Sequence, residues 1–288
     1  MRNNALRAAL EKPEMAFGLE IDGSDPTLVE IAGLLGFDWI YIDAEHAAMT
    51  TELCLNMVRA ADAVGVGSMI RVGTPDRGHV LPYIETGVNA IMLAHTNPSN
   101  AYDFAAELLY PPKGRRGLTM DTRAEEFGLR HSPVEQYTSD EARPIGTALL
   151  EDLAGFDGIE ELVKIDGLDL FDFGLSDLSG SLGIPGQLGD PRLQDHLDRA
   201  IAAVQASGKW VQIAARSLAM FDKAVTSGAD TVMVSSRPLL VGGVRAFNHA
   251  WMNSEAFPPA HSDVADIKRA VKLARQKLSD MRATPAAI

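Results

Sequence analysis

Residues 37–72, FDWIYIDAEHAAMTTELCLNMVRAADAVGVGSMIRV, contain the pattern that decides the fold class. Five of their first seven residues are aromatic or β-branched, which is typical of a buried strand. Residues 51–64 predict an amphipathic helix, because their apolar side chains share one face: Leu53, Met57, Val58 and Ala61. Residues 67–72 return to the composition of a strand. The order strand, helix, strand predicts a parallel βα unit.

The same alternation extends over most of the 288-residue chain. Eight runs have the composition of strands: residues 16–21, 37–43, 67–72, 89–94, 145–151, 168–174, 210–214 and 231–235. Eight strand-helix units close into a barrel of roughly 250 residues. We therefore expect one domain over residues 1–288, a (β/α)8 TIM barrel of the α/β class.

Two segments do not belong to the repeat. Residues 111–144 form the longest connection, and loops of that length in compact domains are usually functional or disordered, so a lid or an interface is expected there. Residues 245–288 predict a helical extension that packs on the barrel or on a neighbouring subunit. Its apolar seam follows Ser262 at helical spacing: Val264, Ile267, Val271, Ala274, Leu278 and Met281.

Composition restricts the partners. A formal net charge of -13 repels phosphate backbones and anionic lipid surfaces, so we expect neither a nucleic acid nor a membrane partner. The first residues do not have the pattern of a signal peptide, and no run of 18 apolar residues occurs, so a cytoplasmic location is expected. Cys54, the single cysteine, falls in the amphipathic helix and is interpreted as a core residue.

Polar side chains cluster where the predicted strands end. In a TIM barrel these carboxyl ends form the face that carries the active site. Four strand ends carry candidate residues. They are Asp43, Glu45 and His46 at and after the end of the second run, Arg71 in the third, Glu151 and Asp152 at the fifth, and Ser176 and Asp177 after the sixth. Each one alone would be interpreted as a helix cap or a surface ion pair. Their joint occurrence on one face favours an active site.

The chemistry of this set is that of a metal-assisted enolate. Glu151 and Asp177 offer two carboxylates, which suits Mg²⁺ because it retains several positions for water and ligand. A 2-oxo acid could chelate such an ion, and the ion would stabilise the enolate that carbon-carbon cleavage generates. Arg71 can donate hydrogen bonds to the enolate oxygen. His46 is suited to moving the proton of the partner's hydroxyl group.

Three segments resemble the HpcH/HpaI aldolase family: YIDAEH at 41–46, YPPKGRRG at 110–117 and GLSDLS at 174–179. The likeness runs in order from about residue 16 to residue 245. It implies a pyruvate-type barrel and a class II aldolase for 2-oxo-3-deoxy acids, of the 4-hydroxy-2-oxoheptanedioate type, that joins or separates a 2-oxo acid and an aldehyde. It also implies a divalent cofactor, Mg²⁺ before Mn²⁺ or Co²⁺.

The resemblance assigns roles to individual residues. Glu151 and Asp177 would be the metal ligands, and Arg71 would bind pyruvate and its enolate. The backbone of the turn Gly174, Ser176 and Asp177 would hold the pyruvate carboxylate.

The resemblance also implies the proton-transfer group and the assembly. His46 would be the acid/base residue, oriented by Asp43 or Glu45, with Glu85 of a neighbouring subunit paired to it. A solvated helix end is the other interpretation of Glu85. The family's assembly is a hexamer, a trimer of dimers that exchange C-terminal helices.

Some positions depart from the family pattern and keep other reactions open. Leu149 stands where family members often have Gln, and Asp152 stands where they usually have Thr. Leu175 and Ser176 replace a common Pro-Ala pair. His95 stands where an apolar residue is usual; it would reach the aldehyde end of the substrate or cap a helix. A divergent member would use the same enolate for citrate-type condensation, acyl-CoA cleavage or decarboxylative carbon-carbon bond formation.

Two further questions concern charged residues. The basic side chains Lys113, Arg115 and Arg116 would attract an anionic substrate tail or form a solvated turn. A Schiff-base aldolase is disfavoured because no lysine falls at the inner carboxyl end of a predicted strand. A non-catalytic barrel is disfavoured because the metal, Arg and His set is complete.

Overall fold

The computed structural model describes residues 4–130, 132–139 and 143–253, with side chains described as far as residue 246. Eight parallel strands form a closed barrel in chain order. They are β1 Ala16–Ile21, β2 Trp39–Asp43, β3 Gly67–Val72, β4 Ala90–Leu93, β5 Ile145–Leu150, β6 Leu170–Phe173, β7 Trp210–Ala214 and β8 Thr231–Ser235. The predicted fold is confirmed, and all eight predicted runs contain a strand.

Four predicted runs are longer than the strands they contain, and side chains explain part of the difference. Asp38 precedes β2 and its carboxylate accepts the backbone N–H of Phe17, 2.8 Å away. Asn89 precedes β4 and its side-chain oxygen accepts the N–H of Ser68 at 2.9 Å. These polar side chains replace ladder hydrogen bonds at the strand starts, so the strands begin one or two residues later than the apolar pattern predicts.

The helices in chain order are α1 Ala5–Leu10, α2 Pro26–Leu35, α3 Thr51–Val64, α4 Arg77–Ile84, α5 Pro98–Leu108, α6 Pro133–Thr138, α7 Leu153–Asp157, α8 Ile159–Leu162, α9 Leu175–Ser181, α10 Pro191–Ala206, α11 Leu218–Thr226 and α12 Ser236–Asn253. Asp25, Thr50, Asn97 and Ser217 cap helices by accepting backbone N–H groups in the first turn. The predicted helix over 51–64 is confirmed as α3, and Cys54 is fully buried in it.

Helix α1 closes the amino-terminal mouth of the barrel. Leu6 and Leu10 are buried and belong to the same apolar cluster as the inward-facing side chains of the strands. Gly67 opens β3 against this helix, where an added Cβ would lie 2.8 Å from the backbone N of Leu6. Asn4 donates a hydrogen bond to the carbonyl of Asn89 over 2.8 Å. Solvent and ligands therefore reach the barrel from the opposite end, where the strands finish.

The barrel interior is apolar towards the amino-terminal ends of the strands, here called the lower part, and polar towards their carboxyl ends. Trp39 fills its lower part, and its indole N–H donates to the hydroxyl of Thr231 at 2.8 Å. Gly18 lies against that indole. Only glycine fits at this position, because a Cβ would approach the ring to 2.3 Å. Higher up, the inward positions are Tyr41, Asp43 and Arg71. The packed lower layers hold the polar upper layer in position.

The long connection after α5 is folded onto the barrel. Arg116 and Glu125 form an ion pair of 2.7 Å in which both side chains are 1% exposed, and Tyr110 packs 4.7 Å from the guanidinium. Arg115 binds Glu107 at 2.5 Å. Both interpretations of this basic turn are thus wrong for Arg116, which is neither solvated nor available to a substrate. The side chain is buried because the turn packs over the barrel.

Helix α12 follows β8 directly, so residue 245, where we expected the extension to begin, lies inside this helix. The predicted seam from Ser262 to Met281 is outside the described residues. No helix in the described part of the chain is long and apolar enough to cross a membrane.

Candidate active site

Asp43 and Arg71 are neighbours in the register of β2 and β3 at the open end of the barrel. The carboxylate of Asp43 accepts hydrogen bonds from Nε of Arg71 at 3.1 Å and from one terminal nitrogen at 2.6 Å. Burial acts to raise the pKa of Asp43, but the guanidinium outweighs it and holds the pKa below the ordinary value. Arg71 is therefore fixed in one orientation.

The turn after β2 carries Glu45 and His46. One oxygen of Asp43 also accepts the backbone N–H groups of Glu45 and His46 at 3.0 and 3.1 Å, so Asp43 holds the turn. The Glu45 carboxylate lies 3.7 Å from Nε2 of His46 and 3.4 Å from Nε of Arg71. The imidazole is 68% exposed. Of the two residues predicted to orient His46, Glu45 is the one beside its ring.

Glu151 follows β5 and is 4% exposed. Its carboxylate lies 3.6 Å from a terminal nitrogen of Arg71 and 3.2 Å from Nε2 of His95. Burial raises the pKa of Glu151 to about 7; the negative charges of Asp177 and Glu45 add to this effect, while His95 and Arg71 oppose it. Glu151 is a buried carboxylate that a further cation would stabilise in its ionised form.

The turn from β6 into α9 brings Asp177 towards Glu151. Gly174 ends the strand, and a Cβ at this position would lie 2.5 Å from Cγ of Glu151, so only glycine lets the turn approach so closely. Asp177 stands in the first turn of α9, is exposed, and acts electrostatically on Glu151. Ser176 is exposed beside it. The structure thus places the turn that begins at Gly174 against Glu151, with Asp177 near enough to act electrostatically on that carboxylate.

These residues fit a divalent ion. Glu151 and Asp177 supply carboxylate oxygens, the donors that Mg²⁺ prefers, and Gly174 lets the turn that leads to Asp177 approach Glu151 closely. Among the described residues, no group of three or more His, Cys, Asp or Glu side chains is arranged to hold a metal. A site with two protein carboxylates leaves the remaining positions for water and substrate.

Glu85 is distant from this face within the chain. It follows α4, and because the helices run back along the barrel, this position lies at the amino-terminal end of the strands. The hydroxyl of Thr122 donates a hydrogen bond to its carboxylate. Pairing of Glu85 with His46 would require a second copy of the chain and stays a prediction.

Sequence reasoning missed a polar group inside the barrel, beneath Arg71. Asp172 is 3% exposed, and its carboxylate accepts a hydrogen bond of 2.8 Å from the side-chain amide of Gln212. Burial raises the pKa of Asp172 to about 6. Asp172 pairs in register with Leu149, so it shares the inward face with the residue that departs from the family pattern. Because side chains alternate between the two faces of a strand, the sequence places Asp172 on the same face as Leu168 and Leu170, but it does not indicate which face is inward.

Comparisons with known proteins identify the family and agree with the fold. The family model HpcH/HpaI aldolase/citrate lyase matches residues 17–231. The 2-keto-3-deoxy-L-rhamnonate aldolase of Klebsiella pneumoniae is 26% identical over 241 residues, which cover 83% of this chain and 89% of that protein. An HpcH/HpaI aldolase/citrate lyase family protein from Burkholderia cenocepacia has a TM-score of 0.80 at 24% identity, covering 87% and 100% of the two chains. The citrate synthase SbnG has a TM-score of 0.73 at 24% identity, covering 87% and 98%.

Proposed function

Because the chain belongs to the HpcH/HpaI aldolase/citrate lyase family, and is thus a carbon-carbon lyase, we propose that it is a class II aldolase. It would cleave or form a 4-hydroxy-2-oxo acid through the enolate of pyruvate. The observation that carries this proposal is the position of Arg71, which is fixed by Asp43 and faces the buried carboxylate of Glu151 at 3.6 Å.

Glu151 and Asp177 would hold a divalent ion, Mg²⁺ before Mn²⁺ or Co²⁺, whose Lewis acidity stabilises negative charge on the 2-oxo group. Arg71 uses Nε and one terminal nitrogen for Asp43, and its other terminal nitrogen faces Glu151. That nitrogen can donate to the oxygen on which charge develops. Preorganised donors of this kind are effective because they need no reorientation during the reaction.

His46 is the candidate for the proton step on the aldehyde side. Its ring is exposed at the mouth of the barrel and lies beside the Glu45 carboxylate, which can stabilise the protonated imidazole. In cleavage, His46 would remove the proton from the C4 hydroxyl group of the substrate, directly or through water. In synthesis, it would return that proton to the alkoxide of the new bond.

The aldehyde partner is proposed to be neutral and hydroxylated. Glu45 and Asp152 add negative charge at the mouth, and this charge disfavours an anionic aldehyde. The curated relatives are named for 2-keto-3-deoxy-L-rhamnonate, a sugar acid of the expected class.

An acyl-CoA lyase is disfavoured by the state of the basic turn. A nucleotide would need free cationic groups, whereas Arg115 is engaged by Glu107 and Asp103 and Arg116 is buried against Glu125. Citrate-type condensation and decarboxylative bond formation use the same enolate. In the assay below, a decarboxylating enzyme would release pyruvate from oxaloacetate while leaving both hydroxylated 2-oxo acids uncleaved, and a condensing enzyme would release no pyruvate.

The test is pyruvate release by metal-depleted protein supplied with Mg²⁺ or Mn²⁺, with 2-keto-3-deoxy-L-rhamnonate, 4-hydroxy-2-oxoheptanedioate and oxaloacetate as substrates and lactate dehydrogenase as the coupled readout. We expect metal-dependent release that is lost on chelation and in Glu151→Ala, with the sugar acid preferred over the dicarboxylate. Release that persists after chelation, or no turnover of any 2-oxo acid, would contradict the proposal.

We propose a homo-oligomer, a hexamer built as a trimer of dimers, in which Glu85 of one subunit approaches His46 of another. Light scattering on the intact protein gives the number of subunits. A catalytically active monomer would contradict it.

A further inference from the structure

His95 lies at the end of β4 and contacts the candidate metal ligand Glu151. Its Nε2 is 3.2 Å from Oε2 of the glutamate, and its ring is 52% exposed whereas the Glu151 side chain is 5% exposed. We propose that His95 is a positioning residue for Glu151: its Nε2 faces Oε2 of the glutamate and leaves Oε1 for a cation. This inference rests on the metal-binding role proposed above for Glu151.

The two oxygens of Glu151 have different surroundings. Oε1 lies 3.6 Å from the terminal nitrogen of Arg71 and would be 3.2 Å from a Cβ on Gly174, so it faces the turn that carries Asp177. Oε2 faces His95 on the other side. The contact of Nε2 with Oε2 would restrict the rotation of the carboxylate about its last bond and keep Oε1 directed at the turn that begins at Gly174.

The backbone of His95 is held in an unusual conformation. Its φ of 46° is in the left-handed region, which a residue with a Cβ adopts only at a cost that its surroundings must offset. Two side-chain amides supply this support, since Asn97 and Asn100 donate to the His95 carbonyl at 3.1 and 3.0 Å. The next residue, Thr96, donates its N–H to the carbonyl of Leu149 at 2.9 Å. His95 is thus fixed relative to the strand that ends in Glu151.

The helix-capping role and a pairing with Asp152 are both excluded for the His95 ring by contacts of neighbouring residues. Asn97 caps α5, so the predicted helix-capping role of His95 is wrong. Asp152 lies 3.9 Å from Nδ1, beyond hydrogen-bond distance, and its carboxylate caps α7 through the N–H of Gly155 at 2.8 Å. Glu151 is the one carboxylate within hydrogen-bond reach of the ring among the described residues.

The test is Mn²⁺ binding to metal-depleted protein, followed by the electron paramagnetic resonance signal of free Mn²⁺. We expect His95→Ala to raise the dissociation constant about 10- to 100-fold, the usual effect of removing a hydrogen-bond partner from a metal ligand. His95→Gln should recover most of the affinity because its amide nitrogen can replace Nε2. His46→Ala, a histidine on the same face without contact to Glu151, is the matched control and should bind like the wild type.

A second variant separates positioning from stability. His95→Gly removes the ring and also relieves the left-handed backbone, so the melting temperature of the metal-free protein should stay equal or rise while Mn²⁺ affinity falls as in His95→Ala. Wild-type affinity in His95→Ala, or a Gln variant no better than the Ala variant, would overturn the role of His95. If wild type and Glu151→Gln bind Mn²⁺ equally, the metal role of Glu151 itself is wrong.

Discussion

Replacing Glu151 by Gln in the metal-free protein should increase its stability, and the gain should depend on pH. Burial of the carboxylate raises the pKa of Glu151 from its ordinary value of 4.5 to about 7. Ionisation of Glu151 therefore costs the folded state free energy that the unfolded chain does not lose. The stability that the folded state gains by keeping Glu151 protonated is fully present below pH 4.5 and is lost as the pH rises through about 7.

The size of the effect follows from the two pKa values. At about 1.4 kcal/mol for each pH unit, the difference between 4.5 and about 7 corresponds to about 3 kcal/mol at pH 8 and about 1 kcal/mol at pH 5. Gln has nearly the shape of Glu and stays neutral at both pH values. The free energy of unfolding of Glu151→Gln should therefore exceed that of the wild type by about these amounts.

Urea unfolding in the presence of a chelator, at pH 5 and at pH 8, measures the difference. Asp152→Asn is the control, because it removes a neighbouring carboxylate that is 32% exposed and remains hydrated. Mg²⁺ or Mn²⁺ at about 100 times its dissociation constant should then stabilise the wild type by about 2.7 kcal/mol and leave the Gln variant unchanged. A Gln variant that is no more stable than the wild type at pH 8 would refute the reasoning.

Four other substitutions have distinct expected outcomes. Arg71→Ala should abolish the exchange of the pyruvate methyl protons, measured by NMR, while Mn²⁺ still binds; undiminished exchange would remove Arg71 from its role. His46→Ala should keep that exchange and slow aldol cleavage by about 10²- to 10⁴-fold, the usual contribution of an acid/base residue, and equal loss of both activities would contradict this division. Gly174→Ala places a Cβ 2.5 Å from Cγ of Glu151, so it should displace the carboxylate and weaken Mn²⁺ binding, which isothermal titration calorimetry would detect. Arg116→Met leaves a buried carboxylate without its guanidinium and should lower the free energy of unfolding by about 3–5 kcal/mol in urea titrations; a loss below about 1 kcal/mol would show that the pair is dispensable.

The barrel could be predicted from sequence because each unit buries its own apolar pattern. The alternation of strand runs and helical seams is local, and it gave eight strands with small errors at their ends. What the pattern does not contain is how distant segments meet. The role of α1 as a plug depends on Leu6 packing against Gly67 from another unit, and no periodicity within the first residues indicates it.

The same limit applies to the site. Strand ends could be predicted to lie on one face, so Arg71, Glu151 and Asp177 could be placed on that face from their positions in the sequence. Which carboxylate pairs with which cation is a matter of side-chain geometry. Asp43 forms an ion pair with Arg71, and His95 contacts the buried Glu151. Neither contact follows from the spacing of these residues along the chain. Arg116 was misinterpreted for the same reason, since its carboxylate partner stands in a segment without a regular pattern.

The charges around Arg71 favour the proposed metal-assisted reaction over one in which arginine alone stabilises the enolate. Three carboxylates lie within 4 Å of its guanidinium: Asp43 at 2.6 Å, Glu45 at 3.4 Å and Glu151 at 3.6 Å. One oxygen of Glu45 is buried and accepts no hydrogen bond. A single guanidinium cannot neutralise three carboxylates, so the net charge of this group disfavours binding of a substrate anion. A divalent ion on Glu151 would offset the excess and release the free nitrogen of Arg71 for the enolate oxygen, so metal binding and substrate activation would depend on each other.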